Sequence, residues 1–441
     1  MKPTKQRIRL TVLILSITGL LVSSSSFKND GYQNLKRWFF TRVLGDRINS
    51  QTLVDYQPIS SQYFSQKNCE SRHSKPNFLV IGGGGSPKSN EIALEKNILY
   101  FQRTLKKMGY NPSSASFFFA NGNNGQASIR YLDNQRVEKF KVPNIPNLTG
   151  SATLENFDDW LKKSKSNNNK KPIFFYFTGH GILNKRNDNN NALMLWKDTL
   201  LTVRQLSQKF DQLPQDSHIV TMMAQCYSGS FANFIYQDGN QKKGVALQTR
   251  CGFFATIKTL PSVGCTPEVN EADYQDYSSS FFAGLSGVNR LGNPVKSADY
   301  NQDGRISYAE AHAFAKVDEK TTDLPVSTSE VWLQQKLTEV EFDQLVQQPI
   351  IRLQSLGRKE QQYVVNSLVK LFRFDPQKSY LENLKSLKTS QLNTDIKQAY
   401  QMRLLMELTN IAMEQKIRNQ NNSTQLNILE RLIQCEASSW N

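Results

Sequence analysis

The sequence predicts an α/β fold with a mostly parallel central sheet, followed by a C-terminal all-α region. Three observations predict it. Short continuous apolar or aromatic runs recur at Phe78–Ile81, Ser116–Ala120, Ile173–Phe177, Ile219–Ala224 and Gly252–Thr256, as expected of central strands covered on both faces. Between them lie stretches with the spacing of one buried helix face, and strands alternating with helices mean a parallel sheet with helical layers. From about Val331 onward the chain becomes Gln/Asn/Lys-rich, with Leu404, Leu408 and Ile411 at helical spacing.

Taken in chain order, the first element reads as an export signal, residues 1–26. Lys2, Lys5, Arg7 and Arg9 precede the apolar run Leu10–Val22, and the small residues Ser23–Ser26 follow. A run of 13 residues falls short of the roughly 20 needed to span a bilayer, so the segment suits a cleaved signal peptide. The expected localisation is therefore exported, secreted or periplasmic, with membrane attachment only if the segment stays uncleaved. Residues 27–75 are polar and aperiodic, an N-terminal extension. Phe78–Ile81 is the first strand, ended by Gly82–Gly85. Leu94, Ile98, Phe101, Leu105 and Met108, spaced four and three apart, mark a helix that covers one side of the sheet. Thr202 and Gln205 form a capping box that starts a helix carrying Leu206, Phe210 and Leu213, stopped by Pro214. The Asn-rich stretches Asn167–Asn169 and Asn189–Asn191 have no apolar period and read as surface loops. The organisation is a core at 76–317 and a helical region at 318–441.

The formal net charge of +16 raises nucleic acid or an anionic membrane as partners, but charge says nothing about fold. No Arg-rich helix, aromatic RNA-binding signature or metal-finger spacing accompanies it, so a basic solvated surface is expected and no nucleic-acid partner. Five cysteines in an exported chain leave one odd. If Cys226 stays free, Cys69, Cys251, Cys265 and Cys435 allow three pairings. A local Cys251–Cys265 bridge is preferred because the two lie 14 residues apart across a Pro/Gly-containing segment, leaving Cys69 with Cys435. Four reduced buried thiols is the alternative.

Ligands of open parallel sheets bind beyond the carboxyl ends of the strands. Two strands end with reactive side chains: Ile173–Phe177 leads through Thr178 and Gly179 to His180 and Gly181, and Ile219–Ala224 leads through Gln225 to Cys226, Tyr227, Ser228 and Gly229. If these strands are neighbours, a thiol and an imidazole share one crevice. The imidazole, and the positive end of a helix beginning after Cys226, would lower the thiol pKa. Cys226 would attack a carbonyl while His180 handles the protons, and the Gly181 and Cys226 backbone N–H groups would face the developing oxyanion. A lone His or Cys is more often packed interior than catalyst; two such strand ends in succession argue for chemistry.

The blocks Thr178-Gly-His-Gly181 and Ala224-Gln-Cys-Tyr-Ser-Gly229, each after an apolar strand, resemble the His-Gly and Ala-Cys blocks shared by caspases, gingipains, legumains and the GPI-anchor transamidase, nearest to the legumain branch. The resemblance covers roughly Asn77 to Val317. It implies a caspase-like three-layer sandwich and a cysteine-type endopeptidase acting on protein or peptide substrates. A His180/Cys226 dyad without an obligatory third member is also implied, with transpeptidation as the variant chemistry. An asparaginyl preference does not follow, because the turn Gly82–Asn90 lacks the arginine legumains use and has Lys88 as its one cation. A catalytically silent calcium-binding interaction protein is the reading from another class.

A second motif is sharper as a pattern. Asp299, Asn301, Asp303, the Arg305 carbonyl, Ser307 and Glu310 occupy the ligand positions of a twelve-residue calcium loop, with Gly304 sixth and Ile306 eighth. A helix follows at Tyr308–Val317, whereas Gly292 and Pro294 argue against a regular entering helix, so a single structural Ca2+ loop is expected. Other patterns fail. Gly82–Gly85 lacks the dinucleotide context. Cys69 and His73 are too few for zinc. Ser228 does not sit in a serine-hydrolase elbow. His218 and His312 read as structural or exposed.

Overall fold

Backbone hydrogen bonding turns the apolar runs into one seven-stranded sheet. The computed structural model describes residues 30–45, 75–166, 171–387 and 394–440; the export segment 1–26, Cys69, His73 and Asn167–Asn169 lie outside them. In chain order the strands are β1 (Asn77–Gly83), β2 (Ser116–Phe119), β3 (Ile129–Leu132), β4 (Glu138–Lys141), β5 (Leu148–Gly150) and β6 (Ile173–Gly179). They continue with β7 (Gly181–Ile182), β8 (Ala192–Leu195), β9 (Thr199–Thr202), β10 (His218–Ala224), β11 (Thr249–Phe254) and β12 (Val326–Ser327). The main sheet has the order β12-β11-β10-β6-β1-β2-β5, with β3–β4 as a ribbon and β7–β8–β9 as a small sheet. Every pairing in the main sheet is parallel except β11 with β12.

The helices are α1 (Asp30–Trp38), α2 (Ile92–Lys107), α3 (Leu154–Ser166), α4 (Val203–Asp211), α5 (Tyr277–Ser286) and α6 (Tyr308–Asp318). The C-terminal set is α7 (Thr328–Gln334), α8 (Glu339–Leu345), α9 (Ile350–Leu356), α10 (Lys359–Phe372), α11 (Tyr380–Ser386), α12 (Asp395–Asn419) and α13 (Ser423–Glu436). Strand side chains alternate between faces, and the two faces carry two cores. Phe78, Val80, Phe174, Tyr176, Val220, Met222 and Phe253 meet Ile98, Phe101 and Leu105 of α2 and Phe281 and Phe282 of α5. Leu79, Ile81, Phe175, Phe177, Ile219 and Met223 meet Phe157 and Trp160 of α3, Phe210 of α4, and the C-terminal helices. The result is the three-layer α/β arrangement expected, with α4 opened by the Thr202/Gln205 capping box. Each of these large side chains stabilises the fold by about 1.5–3 kcal/mol through burial.

Three features depart from the sequence reading. The stretch from residue 27 is not aperiodic throughout, because α1 forms there and leads to Phe39, which is fully buried and 5.1 Å from the ring of Phe342 in α8. The C-terminal region is a layer of the molecule rather than an appendage. It supplies the edge strand β12, and Trp440 stacks edge-on against Phe78 and Phe174 at 4.9 and 5.1 Å. Helix α12 runs through its interior, with Tyr400 and every residue from Met402 to Ile411 buried, as a helix covered all round requires.

The third departure is the disulfide. Cys251 is bonded to Cys435, not to Cys265, and Cys435 is therefore unavailable to Cys69. The reason is geometric: Cys251 points from β11 into the face covered by α13, with its Cα 5.9 Å from that of Cys435, inside bridging range. Cys265 lies past the carboxyl end of the central strand β6, its sulfur 3.8 Å from the Gly179 carbonyl oxygen, exposed and free, and Cys226 is free as well.

Candidate active site

The strands β6 and β10 are hydrogen-bonded neighbours, and their register pairs Thr178 with Ala224. His180 and Cys226 each stand two residues past that pair in sequence, just beyond the carboxyl ends of the two strands. A parallel ladder between two fully buried apolar strands admits no one-residue slip without turning both core faces inside out. Packing of the strands thus sets the juxtaposition.

The turn carrying Cys226 is clamped from several sides. Tyr227 adopts a left-handed conformation with φ of 60°, and an eight-residue 3-10 helix, Ser228–Ile235, follows. Gly229 donates its N–H to the Thr256 carbonyl, and the Asn191 amide reaches the carbonyls of Lys258 and Tyr227. Gly181 lies so close to this turn that a Cβ on it would stand 1.9 Å from the Cys226 carbonyl oxygen. Only glycine permits that approach. The contact is between the Gly181 Cα and the Cys226 carbonyl, not between the two backbone N–H groups expected at an oxyanion.

The sulfur of Cys226 accepts the Ser262 N–H at 3.3 Å and stands 3.5 Å from the Ser262 carbonyl oxygen. Ser262 and Val263 are in turn held by Asp323, whose carboxylate accepts their hydroxyl and backbone N–H groups. Arg403 of α12, fully buried, donates to the carbonyl of Asp323 and to those of Lys316, Glu319 and Thr321. The C-terminal layer therefore anchors the wall behind the sulfur. Burial raises the Asp323 carboxyl to about 7, against the pull of Ser262, Val263 and Arg403.

The thiol has the opposite surroundings from those the sequence suggested. His180 Nε2 lies 2.7 Å from the Ser89 carbonyl oxygen and 3.0 Å from Glu91 Oε2. The second Glu91 oxygen takes Arg130 Nη2 at 2.6 Å. Burial draws the imidazole down, but Cys265 and Glu91 together outweigh it and push His180 up to about 11. Glu91 falls below the ordinary carboxylate range: burial opposes this, and His180 and Arg130 overcome it. The Cys226 thiol is raised, not lowered, to about 11. Burial is the main cause, with Cys265 adding to it and the Ser262 N–H and His180 pulling the other way. A short 3-10 turn gives little helix dipole to offset that desolvation.

Sequence reasoning missed four residues that the fold brings here: Ser89, Glu91, Cys265 and Asp323. Ser89 and Glu91 follow β1, and Cys265 follows β11, so the rule that sites form beyond strand carboxyl ends would have flagged those segments without choosing the residues. No spacing in the sequence points to Asp323.

The calcium-loop residues sit apart from this crevice, between α5 and α6. Asp299 accepts the N–H groups of Asp303 and Gly304 at 3.1 and 3.0 Å, and Asn301 Oδ1 accepts the Asp303 N–H at 2.9 Å. Gly304 has φ of +84°, the sharp turn that the sixth position requires. Glu310 reaches back, one oxygen to the N–H groups of Tyr300 and Asn301 and the other to Ser307. Arg305 forms an ion pair with Asp303 at 3.5 Å. This oxygen-only donor set, closed on itself by the last carboxylate, fits a hard cation such as Ca2+. α5 ends at Ser286, so no helix enters the loop directly. His312, on α6, is buried against Glu330 and Tyr277 and is structural.

No protein-family model matches the chain, and no curated protein does. Among solved structures, protein GSU0716 from Geobacter sulfurreducens aligns with 11% identity over 43% of this chain and 76% of its own, with a TM-score of 0.27. A likeness of that size carries no argument about function.

Proposed function

We propose that the chain is a cysteine-type endopeptidase in which Cys226 is the nucleophile and His180 the proton carrier. One observation supports the reading: His180 and Cys226 each follow by two residues the paired Thr178 and Ala224, at the carboxyl ends of adjacent central strands. The raised values of both groups make the resting pair a thiol and an imidazolium. Attack forms the S–C bond while the thiol proton passes to solvent water, the imidazolium being unable to take it, and His180 hands its own proton to the departing amine nitrogen as the C–N bond breaks. The neutral imidazole then takes a proton from the attacking water of the hydrolytic step, and the released thiolate is reprotonated from solvent. Thiol plus amide thus gives thioester plus amine; water then gives the carboxylic acid and restores the thiol. Glu91 and the Ser89 carbonyl hold the imidazole, so in this reading the dyad has an orienting carboxylate behind it.

The substrate is a protein or peptide segment laid across the strand ends. The loop Asp299–Glu310 binds Ca2+ in a structural capacity, and the chain works outside the reducing cytosol, in keeping with the Cys251–Cys435 bridge. Among the described residues no helix is long and apolar enough to cross a membrane.

The test is Cys226→Ala measured against a mixed peptide library and a thiol-reactive peptide probe. Cleavage and labelling at Cys226 should fall by at least about a thousandfold. Cleavage that survives the substitution would remove the proposal.

A further inference from the structure

Behind the dyad lies a cluster whose donor types match a transition metal rather than a proton relay. Among the described residues, one ligand atom each from Glu91, His180 and Cys265 lies within 4.8 Å of the other two. Thiolate, imidazole and carboxylate are the ligand types of zinc, and three protein ligands with a fourth position open is its common catalytic or regulatory geometry. Metal bonds of the usual length put tetrahedral ligand atoms about 3.3–3.7 Å apart. His180 and Glu91 already stand 3.0 Å apart, and the free Cys265 Sγ, within 4.8 Å of both ligand atoms, lies 3.8 Å from the Gly179 carbonyl oxygen beside them. Glu91 is oriented from behind by Arg130 at 2.6 Å, the outer-shell support that metal-binding carboxylates need. The Cys251–Cys435 bridge removes two competing thiols.

We propose that Glu91, His180 and Cys265 form a site for a thiophilic divalent cation, Zn2+ in particular, whose occupancy switches the chain off. The ion displaces the thiol proton of Cys265 and the proton of His180 to solvent and forms one bond each to sulfur, nitrogen and oxygen. An imidazole so engaged cannot hand a proton to a leaving amine. The binding stands independently of the peptidase reading; the inhibition rests on it. The oxygen ligands of the Asp299–Glu310 loop favour a harder ion, so the two sites divide metals by softness.

The test uses the full chain carrying Cys69→Ser, so that Cys226 and Cys265 are the free thiols, titrated with Co2+ alone. A saturable sulfur-to-cobalt charge-transfer band at one ion per chain is expected. It should persist in Cys226→Ala and vanish in Cys265→Ser, with circular dichroism confirming the fold of each. Glu91→Gln should retain a band and weaken Zn2+ competition by about tenfold or more. No saturable band, a band that survives Cys265→Ser, or one lost with Cys226→Ala would overturn the site. In a separate arm, the Zn2+ concentration that halves peptide cleavage should rise more than tenfold in Cys265→Ser, relative to that variant's own rate. An unchanged value would overturn the switch. A chain that cleaves nothing would sink the peptidase reading and leave the cobalt result to decide the metal site.

Discussion

His180 Nε2 and Glu91 Oε2 are 3.0 Å apart, in a crevice where Arg130 holds the opposite oxygen of the same carboxylate. Against burial, Cys265 and this carboxylate together keep the imidazole cationic well above its ordinary range, which gives the site a distinct pH signature.

Glu91→Gln removes the carboxylate's share of that shift and leaves the share due to Cys265. The folded-state value of His180 lies near 11, above the unfolded value of about 6.5, so its contribution to stability is complete below about pH 6.5 and is lost as pH rises toward 11. Glu91 is lowered, so its contribution is present above about pH 4.5 and is lost as pH falls through its folded value. The gap in urea midpoint between the native chain and Glu91→Gln should therefore be widest between about pH 4.5 and 6.5 and close on either side. NMR titration of the imidazoles, of which the chain has four, should show His180 shifting downward in the variant. A His180 titration unmoved by the substitution would contradict the geometry.

Gly181→Ala tests the close approach of the two motifs. A Cβ placed 1.9 Å from the Cys226 carbonyl must push the turn aside. The overpacking should cost about 1–3 kcal/mol of stability. An ångström-scale displacement of the sulfur should lower kcat/KM by about a hundredfold. Calorimetry and peptide-cleavage kinetics on the same sample separate the two effects. A fully active variant would mean the strand ends are looser than drawn.

Calcium should stabilise the fold. With an affinity on the order of 0.1–1 mM, 10 mM Ca2+ should add about 1.4–2.7 kcal/mol, read as a rise in melting temperature over an EDTA-treated sample. Glu310→Gln and Asp303→Asn should each remove most of the rise. Equal melting curves with and without calcium in the native chain would discard the loop as a metal site.

Cys435→Ser opens the bridge to Cys251 and should cost about 2–5 kcal/mol. Non-reducing peptide mapping should recover the Cys251 and Cys435 peptides joined, with Cys226 and Cys265 alkylatable. Recovery of a Cys251–Cys265 peptide would reverse the connectivity.

The strands, and the placing of His180 and Cys226 at the ends of neighbouring ones, were legible because both rest on local pattern. Five apolar runs can be read by eye, and the register that puts His180 and Cys226 just past neighbouring strand ends follows from burying Ile173–Phe177 and Ile219–Ala224 side by side. What was illegible depends on contacts between distant segments. Cys251 finds Cys435 across 184 residues, and no spacing announces it. Glu91 becomes the partner of an imidazole 89 positions away only once β1 and β6 are adjacent. The raised thiol value likewise depends on how deeply the Ser262 and Asp323 wall buries Cys226. The C-terminal helices looked detachable because helical spacing shows that a face is buried, and not against what.

The bond between Cys251 and Cys435 ties the last helix to a strand next to β10, which ends at the turn carrying Cys226. Should a protease nick any exposed loop in the intervening stretch, including those around Val263 or Leu291, the fragments would remain one covalent body. Such cuts would go unseen on an ordinary non-reducing gel and emerge only after thiol treatment. Maturation by clipping would thus need no fresh association between the resulting pieces.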